Sequence, residues 1–180
     1  MSIRQTYRLH AHRLSLPSTA YFVMCCTVRR RPGLTANPVV QALRAATTAA
    51  DSSDDATLLA FTIMPDHIHW LFQLGTRLSL GHMLGRWKAA TRTALASVGL
   101  AWQRDYFEHR LRPDEDREAY ARYIHLNPYR AGLLAPHEAW PHWLCPNPER
   151  FRFTEHLEQA GGIPPEWIAD RVTDALAVGE

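Results

Sequence analysis

Two dense β-forming runs, Leu58–Met64 and His67–Leu74, are separated by Pro65-Asp66 alone. Proline presets a turn torsion and aspartate bonds its own backbone, so this dipeptide reads as a tight reversal that lays the runs side by side and antiparallel. Little else can be built around such a pair except a sheet. A third run, Tyr21–Val28, ends in the basic loop Arg29-Arg30-Arg31-Pro32-Gly33 and predicts a further strand. Between them, Asn37 is placed to cap a helix with Pro38 at its first position, running to about Ala50. Asp51–Asp55 is a polar break. Ser79 is placed to cap a long helix to about Val98, because Leu80, Met83, Leu84, Trp87, Leu95 and Val98 recur at helical spacing.

Trp102–Leu111 predicts a fourth strand or hairpin arm, and acidic Asp114-Glu115-Asp116 suits the start of a helix reaching about Leu126. There Asn127-Pro128 should end or kink it, since a residue before proline is pushed out of the helical region. Pro136–Pro148 reads as an irregular wrap, and residues 149–180 as one or two short helices. The order β-α-β-β-α-β followed by a helix predicts an α+β fold on an antiparallel sheet.

The chain has 180 residues, and no apolar run approaches the roughly 18 needed to cross a bilayer. Arg4, Arg8, His10, His12 and Arg13 interrupt the beginning of the chain, which does not read as a signal peptide. Three cysteines, Cys25, Cys26 and Cys145, make no disulfide framework and point to a reducing, cytoplasmic setting with no membrane partner. Charge is uneven: residues 1–104 carry 12 Lys and Arg against 4 Asp and Glu, and residues 105–180 carry 8 against 14. Lys88 is the only lysine. An arginine-rich front suits a phosphate-bearing partner, because the guanidinium fork donates two parallel hydrogen bonds.

Strand alternation puts His67 and His69 on one face, with Ile68 and Trp70 on the other. Two imidazoles side by side on a rigid strand can offer ring nitrogens to one divalent metal, although two half-buried sheet histidines have the same spacing. In the stretch 119–133, helical spacing puts Tyr123 and Asn127 one turn apart with Tyr120 on the same side, so periodicity does not choose between the tyrosines. With a reference pKa near 10, only about one phenol in a thousand is ionised at pH 7, so a tyrosine nucleophile needs a metal or a nearby charge. A His-x-His strand, a Tyr-x3-Asn helix and a basic front are together the parts for tyrosine attack on a phosphodiester.

MPDHIHWLF, WQRDYFEHRLR and YARYIHLNPYRAGLL, in this order, resemble the REP-associated tyrosine transposases. These are single-tyrosine transposases with a His-hydrophobic-His motif, related to those of small single-strand insertion sequences. The resemblance covers roughly residues 15–145. It implies His67, His69 and Asn127 as metal ligands, Tyr123 as nucleophile, and Mg²⁺ or Mn²⁺ as cofactor. The implied fold is a ferredoxin-like sandwich with the histidines on a central strand and helices on one or both faces. The implied substrate is single-stranded DNA folded into a hairpin at a palindromic repeat, cut and joined through a 5′-phosphotyrosine by a monomer or a homodimer.

Residues 1–145 then form the catalytic domain and 146–180 an acidic extension. Arg29, Arg30 and Arg31, with Lys88 and Arg92 one helical turn apart, are candidate DNA contacts. Trp102 and Tyr106 read as core sooner than as a stacking surface for unpaired bases, the Cys25-Cys26 pair reads as core, and His10 with His12 lies in an irregular basic segment without a tyrosine partner. The competing functions are a hairpin-binding protein that no longer cuts, a metal-dependent nuclease using activated water, and a zinc sensor.

Overall fold

The structure is a computed structural model that describes residues 15–158 and 161–169. The basic start with His10 and His12, and the last residues, 170–180, lie outside the described residues. Five strands form one antiparallel sheet: β1 (Ala20–Cys26), β2 (Ala56–Ile63), β3 (His67–Leu74), β4 (Phe107–Arg110) and β5 (Trp143–Leu144). Their spatial order is β4-β1-β3-β2-β5. The first four strands, with α1 (Asn37–Ser52) after β1 and α2 (Leu80–Ser97) after β3, give the ferredoxin-like arrangement. The third helix, α3 (Arg117–Arg130), covers the opposite face, so helices lie on both sides.

Strand alternation decides which helix meets which face. Ile68, Trp70, Phe72 and Leu74 of β3, with Tyr21, Val23 and Cys25 of β1, form one core with Leu43 of α1 and Leu84 and Trp87 of α2. Trp87 packs between Trp70 (5.5 Å) and Trp102 (5.3 Å), its ring tilted against both. The other face carries Phe22 and Leu71, packed against Tyr120, Tyr123 and Ile124 of α3. The histidine pair lies on this second face. The β2–β3 hairpin is in the expected place, with a bulge between Leu58 and Ala60. Gly75 lies at its open end, where a Cβ would sit 1.9 Å from the backbone oxygen of Asp54, so only glycine fits beside the segment that leads into β2.

Several expected boundaries are corrected. Ala36, not Asn37, stands at the α1 cap position, without a side-chain cap. The loop before it is pinned by Gly33 and Leu34 N–H groups donating to the Pro65 carbonyl, so tertiary anchoring, not a polar cap, starts the helix. Ser79 does cap α2, accepting from the His82 N–H. The run expected as a strand over Trp102–Leu111 forms a strand only at Phe107–Arg110; earlier, Trp102 makes a single antiparallel bridge with Thr27, Gln103 N–H donates to the Cys26 carbonyl and its side chain to Thr27 O, so the segment crosses the end of β1.

The helix does not stop at Asn127-Pro128. It runs to Arg130 because proline removes a single hydrogen bond within its last turn, and the end is secured further on. Leu133 N–H reaches Pro128 O and Gly132 N–H reaches Tyr129 O, with Gly132 at φ 66°, the left-handed termination glycine favours. The wrap over 136–148 contains β5, which extends the sheet beside Phe61 and Thr62 of β2. Beyond it, Phe151 and Phe153 are buried against α3, and the Phe153 N–H donates to Glu118 at 2.8 Å. Among the described residues no helix is long and apolar enough to cross a membrane.

Candidate active site

β3 is the middle strand, so His67 and His69 are enclosed by neighbours on both sides; they are 5% and 1% exposed. Cys26 lies opposite His67, and Met24 and Thr62 lie opposite His69. The two rings stand perpendicular with their Nε2 atoms 3.0 Å apart. Either one Nε2 donates to the other, or both turn lone pairs toward one cation. Two nitrogens in neighbouring positions of an octahedral ion, each about 2.1 Å from it, are themselves about 3.0 Å apart, so the spacing of the pair suits an octahedral divalent metal. Burial, then the positive fields of His67 and Arg30, hold the His69 pKa well below its ordinary value, which keeps this ring neutral and able to ligate. Among the described residues no cluster of three or more His, Cys, Asp or Glu is present. A metal here would need neutral protein oxygens, water or substrate to complete its shell.

The pair is tied to a charged chain on its outer side. His67 Nδ1 lies 2.6 Å from Asp66 Oδ1, and Asp66 Oδ2 lies 2.9 Å from Arg30 Nε. Burial alone would raise the Asp66 pKa, but the His67 hydrogen bond and the charges of His67 and Arg30 bring it below the usual carboxylate value.

On α3, Tyr123 and Asn127 are buried, at 3% and 8% exposure. The Tyr123 ring meets the His69 ring edge-on at 5.5 Å, and both pack on Phe22. Tyr120, on the same side of the helix, has a different environment. Its ring stacks on His109 at 5.5 Å, and its hydroxyl donates to Glu115 at 3.4 Å. Burial and the Glu115 charge push its pKa up to about 12, so its phenolate is scarcer than a free tyrosine's. Geometry thus separates two tyrosines that helical spacing leaves equivalent.

The candidate DNA contacts divide. Arg29 and Arg31 are exposed and line a shallow cleft with Val28, Gly99, Leu100 and Ala101. Arg30 faces the histidines through Asp66. Lys88 donates to the carbonyls of Gln103 and Asp105, at 2.9 and 3.0 Å, and sits over the Tyr106 ring. Arg92 is exposed on the same helix, which covers the sheet face opposite the histidines. No pattern in the sequence points to the site contacts of Asp66, Phe22 or the His109–Glu115 pair: Asp66 reads as a turn former, Glu115 as a helix-start acid, and nothing in a one-dimensional pattern gives Phe22 its contacts.

The site is thus a ferredoxin-like sheet with paired histidines on its middle strand, faced by a tyrosine-bearing helix. The family described as transposase IS200 like matches residues 15–127, and the chain belongs to it. The chain is 27% identical over 121 residues to a REP-associated tyrosine transposase of Escherichia coli, covering 66% of each. It is also 27% identical over 99 residues to a putative REP-associated tyrosine transposase of Haemophilus influenzae, covering 47% of this chain and 56% of that one. The chain therefore spans two thirds or less of the length of these curated relatives. A solved REP-associated tyrosine transposase bound to a REP hairpin shares the fold, with a TM-score of 0.63 at 22% identity over 74% of this chain and 81% of that one.

Proposed function

We propose that this chain cuts and rejoins single-stranded DNA at hairpins of palindromic REP-type repeats, using Tyr123 as a covalent nucleophile. The observation that carries the reading is the edge-on contact of the Tyr123 and His69 rings, 5.5 Å apart, within one chain. The family and the REP-associated relatives support the substrate class. His67, His69 and Asn127 would hold Mg²⁺ or Mn²⁺, which when bound supplies positive charge against a non-bridging phosphate oxygen.

The chain's own residues do the rest. Packing against Phe22 and His69 fixes the Tyr123 ring, so its hydroxyl is presented without the entropy cost of ordering a loose side chain. Tyr123 Oη attacks phosphorus, the bond to the 3′-oxygen breaks, and the net proton transfer is from the phenol to that oxygen. The 5′-phosphotyrosine keeps the bond energy, and a 3′-hydroxyl attacking it restores a phosphodiester and the free phenol. Because one chain supplies both tyrosine and histidines, the working unit can be a monomer or a homodimer with independent sites.

A labelled hairpin incubated with Mn²⁺ and run on a denaturing gel tests this. The wild type is expected to give a shifted protein–DNA band that chelator abolishes. Free 5′ ends without a shifted band would instead favour water attack, and binding without cleavage would favour a recognition protein.

A further inference from the structure

Asp66 and Arg30 form an ion pair that the hairpin turn does not require. The turn is already fixed by backbone bonds: the Asp66 carbonyl accepts from Thr27 N–H at 2.9 Å and from Thr27 Oγ1 at 3.1 Å, and Pro65 O accepts from Gly33 and Leu34. The Asp66 side chain is thus available to reach 2.6 Å from His67 Nδ1 and 2.9 Å from Arg30 Nε. Arg30, in the loop after β1, reaches back toward that strand, with Nη1 2.9 Å from Cys26 Sγ, from a left-handed backbone at φ 53°. Such a torsion is unfavourable for a residue with a Cβ and persists where surroundings hold it.

We propose that Asp66 and Arg30 are positioning residues for His67, a conclusion that rests on reading the histidine pair as a metal site. The Asp66 carboxylate accepts the Nδ1 proton, which leaves the Nε2 lone pair facing His69 Nε2 and a shared cation. Arg30 fixes the rotation of that carboxylate. A carboxylate behind a ligating imidazole sets the tautomer and raises ligand basicity, and its loss commonly costs 10- to 100-fold in metal affinity. Arg30 then belongs to the chemistry side of the basic loop, and Arg29 and Arg31 to its DNA side.

The test combines ring-¹⁵N NMR of His67 in metal-free protein, Mn²⁺ affinity by electron paramagnetic resonance, and hairpin affinity in chelator. Wild type should show the Nδ1–H tautomer of His67. Asp66→Ala should lose that tautomer and bind Mn²⁺ about 10- to 100-fold more weakly, with hairpin affinity in chelator unchanged. Asp66→Asn, which keeps the turn and one acceptor, should fall between and guards against a folding defect in the alanine variant. Arg30→Ala should weaken Mn²⁺ binding by less than Asp66→Ala, and Arg30→Lys should recover part of it.

An unchanged tautomer and Mn²⁺ affinity in both Asp66 variants would overturn the proposal. So would an Arg30→Ala protein that loses hairpin affinity in chelator while binding Mn²⁺ normally, since Arg30 would then be a phosphate ligand. If wild type bound no Mn²⁺ but the tautomer still followed Asp66, the metal reading would fail while the Asp66–His67 link stood.

Discussion

His125 offers a worked test of how α3 is held against the molecule. Its ring is buried at 3% exposure among Trp143, Phe153 and Tyr129, with centroids 4.8, 5.6 and 5.9 Å away. Among the described residues neither ring nitrogen has a hydrogen-bond partner. Burial pushes its pKa down from 6.5 to about 4. Above pH 6.5 the ring is neutral in both the folded and unfolded chain, and stability does not depend on it. Between pH 6.5 and about 4 the unfolded chain binds a proton that the folded chain refuses, so stability falls as pH falls. The full gap is worth about 3 kcal/mol. His125→Phe keeps an aromatic ring and removes the titration, sacrificing no hydrogen bond.

Urea denaturation followed by far-ultraviolet circular dichroism in chelator would measure this at about pH 7.5 and about pH 4.5. The variant should lie within about 1 kcal/mol of wild type at the higher pH. At the lower pH it should gain about 2 to 3 kcal/mol relative to wild type. A difference between the two proteins that does not move with pH would show that His125 is not buried neutral, and would refute the packing of β5 and the 151–153 segment on α3.

Tyr120→Phe removes one long hydrogen bond to Glu115 and should cost no more than about 1 kcal/mol, leaving covalent adduct formation intact on a hairpin substrate; loss of the adduct would mean the two tyrosines are wrongly assigned. Gly75→Ala should destabilise by about 1 to 3 kcal/mol in urea melts, because its Cβ meets backbone and cannot be relieved by a side chain; an unchanged midpoint would refute the close approach of Gly75 to Asp54. Arg29→Ala and Arg31→Ala should each flatten the dependence of hairpin affinity on log salt by about 0.7 to 0.9, and Lys88→Ala should not, since its ammonium serves backbone carbonyls. Equal slopes in all three would dissolve the division of the basic residues.

The sheet was legible because it rests on local chemistry. Pro65-Asp66 fixes a hairpin, and alternation from that point assigns His67 and His69 to one face and Ile68 and Trp70 to the other. Ser79 was legible as a cap for the same reason. What failed depended on distant partners. The start of α1 is set by the Pro65 carbonyl, which lies far along the chain, and β5 is too short to carry a periodic signal. Phe151 and Phe153 sit in an acidic segment with no periodic apolar pattern, yet their rings are buried on α3. The choice between Tyr120 and Tyr123 is the clearest instance at the site, because helical spacing treats them alike and only Glu115 and His69, on other elements, tell them apart.

The central claim is that the phenol facing His69 forms the bond to DNA. Protease digestion of the covalent adduct and mass spectrometry of the nucleotide-bearing peptide would test it directly. The account predicts a 5′-phosphate linked to Tyr123, formed with divalent metal and absent from Tyr123→Phe. A nucleotide found on Tyr120, or an adduct that survives in Tyr123→Phe, would contradict it.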